Sequence, residues 1–343
     1  MSVLDVDRLR PWLAEHVPGL DAATATAREI TGGRSNLTVE IADGVTSVVL
    51  RRPPLGHVLA TAHDMGREFR AMAALTDSPV PVPALLAYCD DTAVLGAPFY
   101  VMAKAPGAVY RTDADLAGLS GQDGVRVGHA LIDTLADLHS LSWQEIGLAD
   151  FGRPDGYLDR QLRRWARQLA ASRTRELPGI DELATELARR RPESGPATLV
   201  HGDYRIDNVL LTPSGEVAAV LDWELATLGD PLADLGTFCM YWDGFAGLGL
   251  TVPPSPGSRP GWPGRDDLIA RYARRCGRPV DGLGWYLAFG YYRIAVILEG
   301  VHRRQIQGMA AGAGFESVGA AVPELVSRGL DAMSAANISG GRR

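Results

Sequence analysis

The sequence predicts an α+β protein of two unequal lobes, a small β-rich one followed by a larger, mainly helical one. Three observations carry that expectation. Short β-branched and apolar runs broken by Gly and Pro concentrate before residue 103, helical periodicity dominates from there to about residue 191, and Ala105, Pro106 and Gly107 form a hinge between them. With 343 residues, 46% of them hydrophobic, the chain exceeds one ordinary domain and can bury a sizeable core. The expected lobes are residues 1–105 and 106–343.

Leu4, Leu9, Leu13 and Val17 recur at helical spacing until Pro18 and Gly19 stop the pattern, which predicts an amphipathic first helix. A segment from Glu29 to Ile41, broken by Gly32 and Gly33, and a run from Val45 to Arg51 together predict a hairpin, ended by Pro53 and Pro54. From about Ala60 to Leu75 the pattern is helical, with Met65, Phe69, Met72 and Leu75 on one side and Arg67 and Arg70 left to solvent. The prolines of residues 79–83 enforce extended chain, and strands follow over Leu85–Cys89 and Phe99–Met102.

In the second lobe, Val209–Thr212 and Val217–Leu221 flank a turn of Pro213, Ser214 and Gly215. This hairpin brings the polar sequence before it close to the acids after it. Residues 251–264, rich in Pro and Gly, read as a loop, first as a mobile connection and second as a substrate cover. Trp285–Val301 is strongly apolar but short, and it carries Arg293 and Glu299, so it reads as a buried helix rather than a membrane span.

A formal net charge of −7 argues against a nucleic-acid binder that works by phosphate neutralisation. Cys89, Cys239 and Cys276 lie far apart and form no CxxC pair, so neither a zinc site nor a disulfide framework is suggested. The opening residues mix acids with apolar residues and lack the pattern of a signal peptide, so the expected location is the cytoplasm. No membrane partner is expected, and the oligomeric state is not readable.

The chemistry concentrates in HGDYRIDN, residues 201–208, and LDWE, residues 221–224. Phosphoryl transfer needs a group to accept or orient a hydroxyl proton and oxygen ligands that hold magnesium against nucleotide phosphates. Asp203 precedes Asn208 by five residues and Asn208 precedes Asp222 by fourteen, with the hairpin between them. That order matches a base on a loop and two metal ligands, one at the loop's end and one on the returning strand. His201 reads as a hydrogen-bonded brace, and His139 as a packing histidine. Asp230 and Asp234 read as turn and capping residues.

LVHGDYRIDNVLL followed by VLDWELATLGDPLADL resembles the signature of the aminoglycoside phosphotransferase superfamily, a branch of the protein-kinase-like fold. With RRPP at residues 51–54, the wording is most similar to the phosphotransferases related to those fused to acyl-CoA dehydrogenases. The resemblance implies an ATP- and Mg2+-dependent small-molecule kinase, with Asp203 as catalytic base and Asn208 and Asp222 as magnesium ligands. Glu224 stays open between metal assistance and a structural salt bridge.

On the nucleotide side, a kinase needs a cation on a small-lobe strand, usually a lysine paired with a helical glutamate. The chain's one lysine, Lys104, lies past the last strand at the hinge, so it does not fit. By resemblance Arg51 fills that place with Glu68 as partner, and strand alternation sends Arg52 the other way. Gly33 and Ser35, in ITGGRSNL, are expected over the phosphates, and the backbone of Ala103 and Ala105 against adenine.

The acceptor is expected to be a small hydroxyl compound. From Leu235 to Arg343 twelve arginines face eight acids, a net +4, which favours a neutral or anionic acceptor such as a hydroxyacyl-CoA over a polycationic aminoglycoside. Arg293, Arg303 and Arg304 are candidates for an anionic group, though a solvated helix face is the plainer reading of each. Besides an aminoglycoside kinase, the competing function is a catalytically weak nucleotide-binding pseudokinase or scaffold. The intact Asp203, Asn208 and Asp222 argue against it, and Arg51 in place of lysine argues for it.

Overall fold

Side-chain alternation organises the N-terminal lobe of the computed structural model, which describes residues 4–30, 36–54, 64–245, 247, 248, 250, 253–308 and 318–340, with side chains to residue 335. Helix α1 (Val6–His16) opens it, with the Asp5 side chain accepting from Arg8 N as its cap. Strands β1 (Thr26–Glu29), β2 (Leu37–Ala42) and β3 (Ser47–Arg52) follow. Then come helix α2 (Met65–Leu75), β4 (Leu85–Cys89), the single turn α3 (Thr92–Leu95) and β5 (Phe99–Ala103). The strands form one antiparallel sheet in the order β1-β2-β3-β5-β4.

Where the sequence predicts one hairpin the sheet has three strands, because Thr26–Glu29 pairs with β2 from the other side. Val45, expected in a strand, is 97% exposed in a turn where Asp43 Oδ1 accepts from the Val45 and Thr46 amides. An Asx-type bond of this kind reverses the chain without help from packing. The helix expected from Ala60 is described from Met65, and its earlier residues lie outside the described chain.

The two sheet faces have different partners. Val48, Leu50, Phe99 and Val101 pack with Leu9 and Leu13 of α1, whereas Val49, Tyr100 and Met102 join Met65, Met72 and Leu75 of α2 in the larger core. Arg51 shares parity with Val49, so the strand itself delivers it to the α2 side. The solvent assignment holds for Arg70, which is exposed, and is overturned for Arg67. Arg67 donates twice to Ala226 O, at 3.1 and 3.0 Å, and lies 4.0 Å from the Phe151 ring centroid, while Arg70 pairs with Asp150 at 2.6 Å. Helix α2 has a second lobe to dock on, which periodicity in one segment does not reveal.

The C-terminal lobe contains helices α4 (Gly121–Ser140), α5 (Tyr157–Ser172) and α6 (Ile180–Arg189). Four short strands follow, β6 (Thr198–Val200), β7 (Val209–Leu211), β8 (Val217–Val220) and β9 (Thr227–Gly229). Helices α7 (Pro231–Asp243), α8 (Arg265–Cys276), α9 (Leu283–Ile306) and α10 (Val318–Gly340) complete it. The expected hairpin is β7–β8, and β6 pairs with β9 beside it, a pairing the sequence reading did not include. Helix α9 is the buried helix expected over Trp285–Val301, and among the described residues no helix is long and apolar enough to cross a membrane.

A mobile connection over 251–264 does not describe the part the structure shows. Pro254, Ser255, Pro256 and Trp262 are buried, Ser255 N donates to Asp113 Oδ1 at 3.0 Å, and Trp242 Nε1 donates to Pro263 O at 2.9 Å. A Cβ at Gly124 of α4 would lie 2.3 Å from the Trp262 ring, so that glycine is what admits the indole. Proline and glycine here shape a packed strap rather than slack chain.

Candidate functional site

The HGD loop leaves β6 and is held open by groups distant in sequence. Gly202 has φ 86°, and a Cβ there would lie 2.8 Å from Leu225 O, so the bend needs glycine on both counts. The buried Asp234 of α7 accepts from His201 N at 2.6 Å and from Gly202 N at 2.8 Å. It also meets His139 Nε2 at 3.4 Å, and His139 Nδ1 meets the Tyr272 hydroxyl at 2.8 Å. Asp230 caps α7 through Leu232 N and accepts from the Tyr286 hydroxyl at 2.7 Å. Both ring nitrogens of His201 are used inside the fold, Nε2 at 2.8 Å from Leu221 O and Nδ1 accepting from Asp203 N at 3.2 Å.

Asp203 sits at the loop's tip among donors. Arg205 Nε donates to its Oδ2 at 3.1 Å and Asn208 Nδ2 to the same oxygen at 3.2 Å, while Arg293 Nη2 stands 3.5 Å from Oδ1. Burial pushes the carboxyl up, but Arg205 and Arg293 outweigh it and hold Asp203 below the usual carboxylate range. Arg205 is also paired with Asp207 at 2.8 Å and lies 5.0 Å from the Tyr241 ring centroid. Burial pushes Asp207 up to about 6, with Arg205 opposing the rise and Asp203 adding to it. Neither Arg205 nor Asp207 received a role from the sequence, although both stand inside its strongest motif.

Asn208 and Asp222 are brought together by the hairpin, through Leu221 N donating to Asn208 O at 2.8 Å. Asn208 Nδ2 is also bonded to Asp203 O at 2.9 Å, which fixes the amide and leaves its carbonyl oxygen as the free ligand end. Among the described residues Asp222 is the one non-glycine with positive φ, 65°. Strain of that kind persists where the surroundings over-determine it, often at functional sites. Two oxygen-bearing side chains, with no cluster of three or more His, Cys, Asp or Glu among the described residues, fit a magnesium ion that takes its remaining ligands from phosphates and water.

Arg51 Nη2 bridges this region to α2, 3.1 Å from Glu68 Oε1 and 2.9 Å from Asp222 Oδ1. Glu68 is fully buried; burial pushes its carboxyl up while Arg51 opposes the rise. Arg52 points to the other side and is 5% exposed. Lys104 is held at 2.6 Å by Glu40, well away from this cluster in its bonding. Glu224 accepts from Asn36 Nδ2 at 3.1 Å, a contact to the end of the glycine-rich segment that neither sequence reading anticipated. At the hinge Ala103 N donates to Ala84 O at 2.8 Å, so Ala103 has only its carbonyl to offer, and Ala105 follows two residues on. Gly33 and Ser35 lie outside the described residues.

The solvated-face reading of Arg293 is corrected: the residue is 8% exposed and donates to Gly202 O at 2.5 Å. Part of the positive charge after Leu235 is also paired within the fold. Arg271 and Arg275 of α8 pair with Asp133 and Asp137 of α4 at 2.6 Å, and Arg265 pairs with Asp243 at 2.5 Å. A charge count along the chain misses pairs that only packing forms.

The sequence profile described as the phosphotransferase enzyme family matches residues 26–262. The chain is 37% identical over 295 residues to acyl-CoA dehydrogenase family member 10 of Mus musculus, covering 84% of this chain and 27% of that relative. It therefore spans about a quarter of the length of that curated relative. A solved structure from Ralstonia eutropha, provisionally described as an aminoglycoside phosphotransferase, is 33% identical with a TM-score of 0.83, covering 97% of this chain and 99% of that one. A thermostable aminoglycoside phosphotransferase mutant, in ternary complex with ADP and hygromycin B, is 14% identical with a TM-score of 0.60 over 95% of this chain and 98% of its own. At that identity it speaks for the fold alone, and the fold is the protein-kinase-like one that the motifs suggested.

Proposed function

We infer, from the premise that this chain belongs to the phosphotransferase enzyme family, that it is a small-molecule kinase moving the γ-phosphoryl group of ATP to a hydroxyl. The observation that carries this reading is the convergence of Asp203, Asn208 and Asp222 around one hydrogen-bonded hairpin, with Arg51 reaching in from the sheet. Residues 1–105 then serve as the nucleotide lobe and 106–343 as the catalytic and acceptor lobe. The ADP held by a structural neighbour supports the nucleotide. A cytoplasmic location remains part of the reading, in keeping with three free cysteines.

In this scheme Asp203 is the base. Kept ionised by Arg205 and Arg293, its carboxylate accepts the proton as the acceptor's O–H bond breaks; the freed oxygen forms a new P–O bond while the bond to the β-phosphate's oxygen breaks. Asn208 and Asp222 would hold Mg2+, which when bound offsets phosphate charge. Arg51 supplies permanent positive charge that Glu68 orients, and the Ala103 carbonyl and Ala105 amide are the expected adenine contacts.

The acceptor proposed is neutral or anionic, a hydroxyacyl-CoA or a related hydroxy compound, rather than a polycation. Arg205 and Arg293 beside Asp203 support that choice better than the charge count over residues 235–343. A mass-spectrometric screen for ATP-dependent phosphorylation over aminoglycosides, sugars, amino alcohols, hydroxy acids and hydroxyacyl-CoAs tests it. The expected result is one acyl product that disappears with Asp203→Asn. Mg2+-dependent nucleotide binding with no product across the whole screen would favour the scaffold reading instead.

A further inference from the structure

Beyond Arg293 stands one more arginine, which forms no salt bridge among the described residues. Arg164 of α5 brings its guanidinium carbon to 5.3 Å from the Trp165 ring centroid, and Arg293 of α9 brings its own to 5.6 Å from the same ring. Trp165 is 7% exposed, so its indole is a buried wall against which both cations rest. Burial and then the like charge of Arg293 hold the Arg164 guanidinium below the usual value, with Tyr157 opposing them. The indole attracts both cations while they repel each other, so an anionic or carbonyl oxygen placed between them would be favoured.

Two further donors point to the same need. Trp165 Nε1 and Arg293 Nε are buried, and neither has a hydrogen-bond acceptor among the described residues. Buried N–H groups are nearly always paired in a finished structure. Arg293 also stands 3.5 Å from Asp203 Oδ1, so this donor cluster begins one side chain away from the base. Arg293 is already shared with Asp203 and Gly202 O, which leaves a field suited to one acyl oxygen rather than a doubly charged phosphate.

We propose that Arg164, Trp165 and Arg293 form an acyl-oxygen subsite that determines which acceptor is phosphorylated, an inference that rests on the kinase reading above. The compound placed with its hydroxyl at Asp203 presents a carboxylate or thioester carbonyl oxygen to this subsite, a few bonds along the same chain. Arg164, exposed on the rim, is the specificity residue that can be changed without touching the HGD loop. Arg293 is the inner donor and also positions the loop.

The test uses the full chain with ATP and Mg2+ and three matched series: 2-, 3- and 4-hydroxycarboxylates, their CoA thioesters, and alkanols of equal length without the acyl oxygen. The wild type is expected to favour acyl compounds by about tenfold or more in kcat/KM. Arg164→Gln should raise KM for them about tenfold while kcat changes less than about twofold, and Arg164→Lys should restore part of the loss. Unchanged nucleotide affinity and unfolding midpoint in both variants show that the fold is intact. An effect confined to the carboxylates and weakened by added KCl identifies the carboxylate as the group held, and an effect on the thioesters identifies the carbonyl. Equal use of acyl compounds and alkanols, or a preference that survives Arg164→Gln, overturns the subsite even if transfer still depends on Asp203. Mg2+-dependent nucleotide binding with no phosphorylated product from any of the three series overturns the underlying kinase reading instead.

Discussion

The two halves of the candidate site are built on opposite plans. The transfer half is local in sequence: Asp203, Arg205, Asp207 and Asn208 fall within one loop and are linked by direct contacts, and distant residues such as Asp234 and Arg293 hold that loop in place. The nucleotide half has no local core. Arg51, Glu68 and Asp222 come from a strand, a helix and the end of another strand, and one guanidinium nitrogen joins all three. The loop can keep its shape wherever the small lobe stands, whereas the Arg51 cluster exists only when the two lobes are docked.

The largest expected effect tests the local half. Asp203→Asn should lower phosphoryl transfer by about 10²–10⁴-fold with nucleotide affinity nearly unchanged, measured by single-turnover product formation and by equilibrium binding. Near-normal turnover would remove Asp203 from the role of base. At the junction of the halves, Asn208→Ala and Asp222→Ala should each raise the Mg2+ concentration for half-maximal transfer by about tenfold or more. Magnesium titrations that overlay the wild type in both variants would break the ligand assignment.

The docked half is tested by a pair of neighbours on one strand. Arg51→Ala should weaken ATP use by about tenfold, because Glu68 and Asp222 lose their common partner, while Arg52→Ala should leave the ATP KM within about twofold. The reverse ranking would assign the cleft to the other face of β3. The smallest effect concerns the lysine that does not join the cluster. Hydrogen bonds from Lys104, then Ser47, then Arg28, lower Glu40 to about 2. A depressed carboxyl contributes stability above its unfolded value, which is lost as pH falls from about 4.5 toward 2. Glu40→Gln should therefore flatten the loss of stability over that window by about 1 kcal/mol, the exposed Lys104 and Arg28 ends being screened, with little change in ATP KM at pH 7. A Glu40→Gln effect on ATP use as large as that of Arg51→Ala would place Lys104 in the nucleotide site after all.

Legibility followed the same division. The β7–β8 hairpin, the sides taken by Arg51 and Arg52, and the buried α9 could all be read from turn residues, period-two alternation and apolar runs. What escaped reading was set by partners far along the chain. Arg67 looked solvated until Ala226 and Phe151 arrived beneath it, and the 253–263 strap looked mobile until Gly124 and Trp262 met. Arg293 looked like one of several surface arginines until α9 was packed against the HGD loop.

By itself, then, the sequence determined the chemistry: an acid, an amide and a second acid at fixed spacing around a hairpin, because short loops and strand alternation act over a few residues. The tertiary structure decided the setting of that chemistry. Which arginines are neutralised by Asp133, Asp137 and Asp243, and which stand beside Trp165 and Asp203 with charge to spare, depends on helix packing. Coulomb energy depends on distance in space, and separation along the chain does not record it.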